Sequence, residues 1–301
     1  MVHPVYVRTF GELSNLASDL LDFSLLKLDA RPGRGYPSMT HILGKVATRT
    51  TGGVPGLRQG LPSASRVNGM VIPSATRARE IESVRLDLGA SAEGELSQWL
   101  SGDELLRANR FVFERDRRRY IVGRAHLRYQ LGLRLGVRPE VVEFVYGKYG
   151  KPALSLRFEG AGLRFNVSHS EDMAVYAFSF GREIGVDVEA IRQVHDADEI
   201  AGRFFSAREN EAYSGLDIAD KPLGFFNCWT RKEAFIKAIG DGLQYPLDRF
   251  DVNLAPGEPA RILRVNGTQG DACGWQIEEF SPAPGFVAAV VFESTQLDAI
   301  T

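Results

Sequence analysis

Apolar and polar residues alternate with a period of two in many segments of the chain after residue 83. The clearest example is the segment 184–189, in which Ile184, Val186 and Val188 point to one face while Asp187 and Glu189 point to the other. This pattern predicts a β-strand with one apolar and one acidic face. Further strand-like patterns are found at 84–88, 142–146, 163–167, 173–180, 249–254, 275–280 and 286–292.

Helical periodicity is found in three segments between these strands. One helix is expected to begin after Ser101, a residue type that caps helix N-termini. A second, strongly basic helix is predicted at 115–135, and a third at 223–239, where Gly240 is the residue type favoured just past a helix end. The strands follow one another in hairpin-like pairs rather than alternating strictly with helices, which predicts an α+β fold.

The two long helices share a short pattern. Residues 124–128 (RAHLR) match residues 233–237 (EAFIK) by residue type at their last four positions. The match is compatible with two related halves that meet near residue 180. We therefore predict an N-terminal half at 83–180 and a C-terminal half at 181–301.

The composition is that of a soluble globular protein, with 44% hydrophobic residues among 301 and a formal net charge of −2. No apolar run approaches the roughly 18–20 residues of a membrane helix, and the near-neutral charge gives no sign of nucleic-acid binding. The two cysteines, Cys228 and Cys273, lie far apart without metal-ligand spacing, which suits a reducing compartment. We predict a cytoplasmic, monomeric protein without membrane or nucleic-acid partners.

The start of the chain differs in composition from the rest. Residues 31–79 contain eight Lys or Arg, no Asp or Glu, and many Gly, Ser, Pro and Thr. Such a stretch buries too little apolar surface to order itself, so we predict a poorly ordered basic extension over 1–82. Glu12, Asp19 and Asp22 argue against a signal or transit peptide. A translation start at Met70 explains the change in composition equally well, and the mass of the natural N-terminus would decide between the two explanations.

The acidic face of the segment 184–189 has two interpretations. It is either a solvated strand face, or a pair of oxygen ligands whose mutual repulsion a hard divalent cation such as Mg²⁺ would relieve. The third helix favours the second interpretation. On a helical wheel Glu233 and Lys237 stack on the flank of an apolar stripe, whereas Lys232 falls inside it, where a lysine is rarely buried without a partner. A surface ion pair explains Glu233 and Lys237 but not Lys232, whereas a polyanion between helix and strand explains all three.

Several polar side chains elsewhere are candidate contacts for such a polyanion. Each alone is usually a solvated loop or helix residue, so their value lies in occurring together. The sequence lacks the phosphate-binding loop, dinucleotide-binding, zinc-protease and serine-hydrolase motifs. The candidates are Asn166, Ser168 and His169 at a strand end, Lys148 and Lys151 in a turn, and Arg107, Arg110 and Arg117 to Arg119 on a basic face.

Five ordered strings resemble the Sfp-type 4′-phosphopantetheinyl transferases. The similarity extends from about residue 83 to about residue 295 and does not cover 1–80. It implies a pseudo-two-fold pair of similar α+β subdomains with coenzyme A bound in the cleft between them, which would account for the repeated helix pattern. The last string is highly specific. The strings are residues 150–152 (GKP), 165–170 (FNVSHS), 185–189 (GVDVE), 204–209 (FFSARE) and 229–243 (WTRKEAFIKAIGDGL).

The resemblance also implies roles for individual residues. Asp187, Glu189 and Glu233 would bind Mg²⁺, Lys237 would contact the transferred phosphate, and Asp187, Glu233 and Lys237 would be the catalytic residues. Tyr120, in the basic run 116–120 (DRRRY), stands where some relatives carry a small hydroxyl residue, which leaves recognition of the 3′-phosphate open. The implied contacts of coenzyme A are Arg107, Gly150, Lys151, Pro152, Asn166, Ser168, His169, Lys232 and Lys237.

The implied reaction is transfer of the 4′-phosphopantetheine group of coenzyme A to a serine of an apo acyl or peptidyl carrier protein, with release of 3′,5′-ADP. The proton acceptor is either Glu233 or a metal-bound water. The alternatives are an Mg²⁺-dependent hydrolase of coenzyme A or nucleotide diphosphates, and a non-catalytic module that binds coenzyme A. Arg203, Arg208 and Arg231, taken as exposed, are candidate docking residues for an acidic carrier helix.

Overall fold

The computed structural model describes residues 65–67, 70–72, 79–86, 90–148, 150–240, 245–267 and 272–294. The predicted basic extension, 1–82, therefore lies largely outside the described residues. Within it, β1 (Ser65–Val67) and β2 (Met70–Ile72) pair in antiparallel orientation. The next strand begins at Arg79, so residues 79–82 belong to a strand and the boundary predicted at residue 83 is corrected.

The N-terminal half is a three-stranded antiparallel sheet covered by one long helix. Its elements are β3 (Arg79–Arg85), α1 (Ala90–Leu96), α2 (Gly102–Ala108), α3 (Glu114–Leu135), β4 (Phe144–Tyr146), β5 (Pro152–Leu154), β6 (Leu163–Ser170) and β7 (Met173–Phe180). The strand order is β3-β7-β6. Tyr176 and Phe178 of β7 pack with Ile121 and Ala125 of α3, so one apolar core lies between sheet and helix.

The C-terminal half has the same plan. Its elements are β8 (Ile184–Ala190), α4 (Ala197–Phe204), α5 (Ala207–Ser214), α6 (Lys221–Ile239), β9 (Phe250–Val252), β10 (Ile262–Val265), β11 (Trp275–Phe280) and β12 (Phe286–Glu293). The strand order is β8-β12-β11. Val287, Ala289 and Val291 of β12 pack with Phe235 and Ile236 of α6 in a second core.

The opposite faces of the two sheets enclose a third core. Val175 and Ala177 of β7, Val186 and Val188 of β8, and Val290 of β12 are almost fully buried there. A strand covered on both faces needs apolar residues at every position, which explains why β7 and β12 read as continuous apolar runs. Burial of each valine contributes about 1.5–3 kcal/mol to folding. The layers are therefore helix, sheet, sheet and helix.

The repeated plan confirms the predicted α+β fold. In each half an edge strand (β3 or β8) precedes the long helix (α3 or α6), and the last two strands form a hairpin whose second member pairs with that edge strand. Each long helix ends at a glycine in the left-handed region, Gly136 with φ of 67° and Gly240 with φ of 83°, as the sequence predicted for Gly240. None of the described helices is long and apolar enough to cross a bilayer.

At one edge of the two stacked sheets, the strands β6 and β8 lie next to each other. This junction is called the seam below. Within the described residues the two strands share no backbone ladder. Instead, alternate side chains of β6 accept hydrogen bonds from alternate amides of β8. Asn166 Oδ1 accepts from Val186 N at 2.8 Å, Ser168 Oγ from Val188 N at 3.4 Å, and Ser170 Oγ from Ala190 N at 3.1 Å. Polar side chains of the N-terminal half thus lie directly beside the strand that carries Asp187 and Glu189.

Candidate active site

Helix α6 lies so close to β8 that no side chain fits at Gly185. A Cβ atom at this position would overlap the backbone of Ala234 and Ala238 and lie 2.8 Å from the carbonyl carbon of Lys237. Only glycine permits such an approach of helix to strand. The approach places Glu233 and Lys237 of α6 beside the strand residues that follow Gly185.

The two strand carboxylates are each held through one oxygen. Asp187 Oδ1 accepts hydrogen bonds from Lys237 Nζ at 2.6 Å and from Ser168 Oγ at 2.7 Å. Glu189 Oε2 accepts from Ser170 Oγ at 2.8 Å. Asp187 is only 4% exposed and Glu189 is partly buried, so the acidic face packs against α6 and β6 instead of being a freely solvated strand face. Its second oxygen, Oδ2, is buried and accepts no hydrogen bond from any described residue.

Burial and mutual repulsion change the acidity of these groups. Burial, reinforced by the carboxylate of Asp187, raises the pKa of Glu189 to about 7. Burial also raises the pKa of Glu233 to about 7, where Lys237 opposes the rise and Asp187 and Glu189 add to it. For Lys237 burial lowers the pKa, but Asp187 and Glu233 outweigh burial and the net pKa is raised. Three carboxyl groups and one ammonium therefore form a single electrostatic cluster.

The chemistry of this cluster fits a hard divalent cation. Mg²⁺ prefers carboxylate oxygens, and Asp187 Oδ2 is a buried acceptor that a cation would satisfy. A cation would also relieve the repulsion that raises the pKa values of Glu189 and Glu233. No three potential ligands among the described residues are already closed around one metal position, and the ammonium of Lys237 lies against Asp187. A cation bound here would therefore require these side chains to move.

Cation binding is expected to strengthen as the pH rises through neutrality. Below the raised pKa of about 7, Glu189 and Glu233 are largely protonated in the metal-free protein, and protons compete with the cation. We expect the affinity for Mn²⁺, used in place of Mg²⁺, to increase at least about tenfold between about pH 6 and about pH 8. Isothermal titration of the wild type and of Glu189→Gln measures it, and the variant should show the shallower profile. A flat wild-type profile would contradict the expectation.

Two models of known protein families match this chain, one in each half. The family model described as 4′-phosphopantetheinyl transferase, N-terminal, matches residues 94–180, and that of the 4′-phosphopantetheinyl transferase superfamily matches residues 183–291. The 4′-phosphopantetheinyl transferase HetI of Nostoc sp. is 42% identical over 207 residues, which cover 69% of this chain and 84% of HetI. The chain belongs to the 4′-phosphopantetheinyl transferase superfamily.

Two further relatives lie at lower identity. The 4′-phosphopantetheinyl transferase Sfp of Bacillus subtilis is 31% identical over 156 residues, covering 52% of this chain and 67% of Sfp. A putative 4′-phosphopantetheinyl transferase of Synechocystis sp. is 35% identical over 178 residues, covering 59% of this chain and 70% of the relative. The resemblance to this family of transferases that the sequence motifs indicated is therefore confirmed.

The residues that the resemblance assigns to coenzyme A lie in different parts of the transferase. Ser168 lies in the seam, 3.2 Å from Lys237 Nζ, and His169 is exposed beside it. Lys151 Nζ lies 3.3 Å from the carbonyl oxygen of Ala238, near the end of α6, so the turn that contains it also reaches the seam. Arg107 lies in the N-terminal half, 7% exposed, with its guanidinium 5.5 Å from the ring centre of Tyr120.

Three other residues of this set have local structural roles. Gly150 adopts a left-handed φ of 79° in the turn before β5, and Pro152 begins that strand. Asn166 is 5% exposed, and its Oδ1 already accepts a hydrogen bond from Val186 N across the seam. These contacts shape the turn and the seam beside the carboxylate cluster.

The structure corrects the prediction for Lys232. This side chain is fully buried, as the helical wheel indicated, but its partner is a carboxylate and not a polyanion in the cleft. Lys232 Nζ lies 2.8 Å from Glu209 Oε2 and donates hydrogen bonds to the carbonyl oxygens of Leu247 and Phe250 at 2.6 and 2.7 Å. Arg231 is likewise not an exposed docking residue, because it is 1% exposed and paired with Glu279.

Replacing Lys232 should affect stability rather than coenzyme binding. In Lys232→Met the carboxylate of Glu209 remains buried without its cation, and we expect a loss of about 3–5 kcal/mol in the free energy of unfolding. The double variant Lys232→Met/Glu209→Gln should recover part of that loss. Urea denaturation measures both effects. A stable Lys232→Met protein with a raised KM for coenzyme A would instead restore Lys232 to the binding site.

Sequence reasoning missed some contributors to the cluster. Ser170 and Arg192, which both contact Glu189, carry no local pattern that distinguishes them, since their partner is fixed only by tertiary packing.

Helix α5 was missed as well, although its start has a recognisable sequence signal. Ser206 and Glu209 form a capping box of the type Ser-x-x-Glu, in which each side chain bonds the other residue's amide.

Proposed function

We propose that this chain transfers the 4′-phosphopantetheine group of coenzyme A to a serine hydroxyl of an apo acyl or peptidyl carrier protein, in an Mg²⁺-dependent reaction that releases 3′,5′-ADP. The main support is the cluster of Asp187, which is buried, with Glu189, Glu233 and Lys237, which are partly buried, at the junction of the two halves of a superfamily member. A largely desolvated group of three carboxyls and one ammonium suits a cation and a phosphate better than it suits folding stability.

Each residue of the cluster has a task in this reaction. The serine oxygen forms a bond to the β-phosphorus of coenzyme A, the bond from that phosphorus to the oxygen bridging to the α-phosphate breaks, and the serine proton leaves. Lys237 supplies positive charge toward the phosphate, and its raised pKa keeps it protonated. Glu233, with a pKa raised to about 7, can accept a proton near neutral pH.

Asp187, Glu189 and Glu233 would hold the divalent cation. When bound, it would neutralise charge on the diphosphate and help to orient it. Phosphoryl transfer depends mainly on positioning and charge neutralisation. Rigid placement of the groups that bind the diphosphate therefore matters more than covalent chemistry from the protein. Ser168, which lies in the seam beside the cluster, and Lys151, which lies near the start of β8, are proposed to contact coenzyme A, together with exposed His169 and with Arg107.

One assay tests the proposal against its alternatives. The protein is incubated with apo carrier protein, coenzyme A and Mg²⁺, and the carrier mass is followed. Gain of one phosphopantetheine, lost on removal of the metal with a chelator, is the expected result. Release of phosphopantetheine in the absence of a carrier would instead indicate a hydrolase. Binding of coenzyme A without either reaction would indicate a non-catalytic module.

A further inference from the structure

We infer that Ser170 is a positioning residue, contributed by the N-terminal half, that orients Glu189 of the C-terminal half for cation binding. The inference rests on the proposed function, because it assumes that the carboxylate cluster holds a divalent cation. Ser170 is the last residue of β6, whereas Glu189 belongs to β8. The two residues meet only because the two halves join at the seam.

The hydroxyl of Ser170 makes two hydrogen bonds that together fix its direction. Its oxygen accepts from Ala190 N at 3.1 Å, and its proton is donated to Glu189 Oε2 at 2.8 Å. A hydroxyl that accepts from the backbone has its proton free for one neighbour. The backbone of β8 therefore fixes the hydroxyl of Ser170, which donates its proton to the side chain of Glu189, the residue before Ala190.

Ser168 repeats this arrangement two residues earlier. Its oxygen accepts from Val188 N at 3.4 Å, and its proton is donated to Asp187 Oδ1 at 2.7 Å. Asn166, at the next alternate position, accepts from Val186 N but has no carboxylate opposite, because residue 185 is glycine. Serine thus occurs at the two positions of the seam that lie opposite a carboxylate, and asparagine occurs at the position that does not.

Holding one oxygen of a carboxylate leaves the other for a ligand. Oε2 of Glu189 is held by Ser170 and, at 3.4 Å, by Arg192 Nη1, while no hydrogen bond from a described residue reaches Oε1. Asp187 shows the same division, since its Oδ1 is held while its buried Oδ2 accepts no hydrogen bond from the part of the chain that the structure describes. Hydrogen bonds from outside the ligand shell orient ligating carboxylates in this way, and their removal typically lowers metal affinity 10- to 100-fold.

The test is equilibrium binding of Mn²⁺ to the full chain, followed by electron paramagnetic resonance. Ser170→Ala should raise the Kd for Mn²⁺ about tenfold, whereas Ser170→Thr, which keeps the hydroxyl, should stay near the wild type. The control is Ser179→Ala on β7, where a buried serine donates its hydroxyl to a backbone oxygen, that of Arg182, at 2.5 Å. In transfer assays, Ser170→Ala should need about tenfold more Mg²⁺ for half-maximal rate, with kcat largely restored at saturation.

The outcomes separate the inference from the proposed function. A Ser170→Ala protein that is thermally less stable but binds Mn²⁺ like the wild type would show a purely structural serine and would overturn the inference alone. Failure of the wild type itself to bind Mn²⁺ would overturn the proposed metal site, and the inference with it. Equal weakening in Ser179→Ala would also overturn it, since the effect would then not depend on contact with Glu189.

Discussion

Asp187→Asn is expected to lower the rate of phosphopantetheine transfer at least about a thousandfold while leaving the protein folded. The substitution keeps the shape of the side chain but removes the charge next to Lys237 and the buried oxygen Oδ2, which no described residue hydrogen-bonds. Glu233→Gln should have an effect of similar size. The measurement is single-turnover transfer to an apo carrier at fixed Mg²⁺, with circular dichroism and thermal unfolding on the same samples.

A matched control is available on the far side of the C-terminal sheet. Glu278 on β11 pairs with Arg79 of β3, so Glu278→Gln also removes one charge at a junction of the two halves. It should retain wild-type transfer because it lies outside the carboxylate cluster. The assignment of Asp187 would be refuted if Asp187→Asn retained transfer within about tenfold of the wild type at the same Mg²⁺ concentration.

Gly185→Ala is the second substitution for which we expect a large effect. The added Cβ would overlap the backbone of Ala234 and Ala238, which cannot move without displacing α6. We expect a loss of about 3 kcal/mol in the free energy of unfolding, the upper end of the usual cost of overpacking. Because α6 carries Glu233 and Lys237, protein that remains folded should lose about a hundredfold in transfer rate, as for a misplacement of about 1 Å.

The control for this substitution is Gly202→Ala in α4. A Cβ atom there meets no other atom within 4 Å, and alanine favours helix by about 0.5–1 kcal/mol over glycine. Gly202→Ala should therefore be neutral or slightly stabilising, with unchanged transfer. Denaturation by urea and the transfer assay are applied to both variants. A Gly185→Ala protein as stable and active as the wild type would show that α6 can be displaced without cost.

Local patterns predicted the elements that carry the cluster. Alternation placed Asp187 and Glu189 on one face of a strand, and the end of α6 at Gly240 follows from the preference of glycine for the left-handed region. The helical wheel also placed Lys232 correctly in the buried stripe. These features depend on neighbours within one strand or one helix, so the sequence contains the information that decides them.

The partners of these residues could not be predicted in the same way. Lys232 was assigned to a polyanion because its partner, Glu209, lies on a different helix, α5, that the sequence pattern did not reveal. The motif 165–170 contains Ser170 but gives it no role, since its contact with Glu189 exists only once β6 and β8 lie next to each other. Pairing across elements depends on tertiary packing, which the local pattern of a single sequence does not specify.

The single passage of the chain between the two sheets has a consequence for protein engineering. Within the described residues from Arg79 to Ser294, the chain leaves the first sheet after Phe180 and enters the second at Ile184. Each half keeps its own outer core, but the central core is shared between them. Fragments separated at Gly181–Glu183 would each expose an apolar sheet face that only the other fragment covers. The enzyme is thus suited to fragment complementation, in which recovery of transferase activity would report that two fused proteins have met.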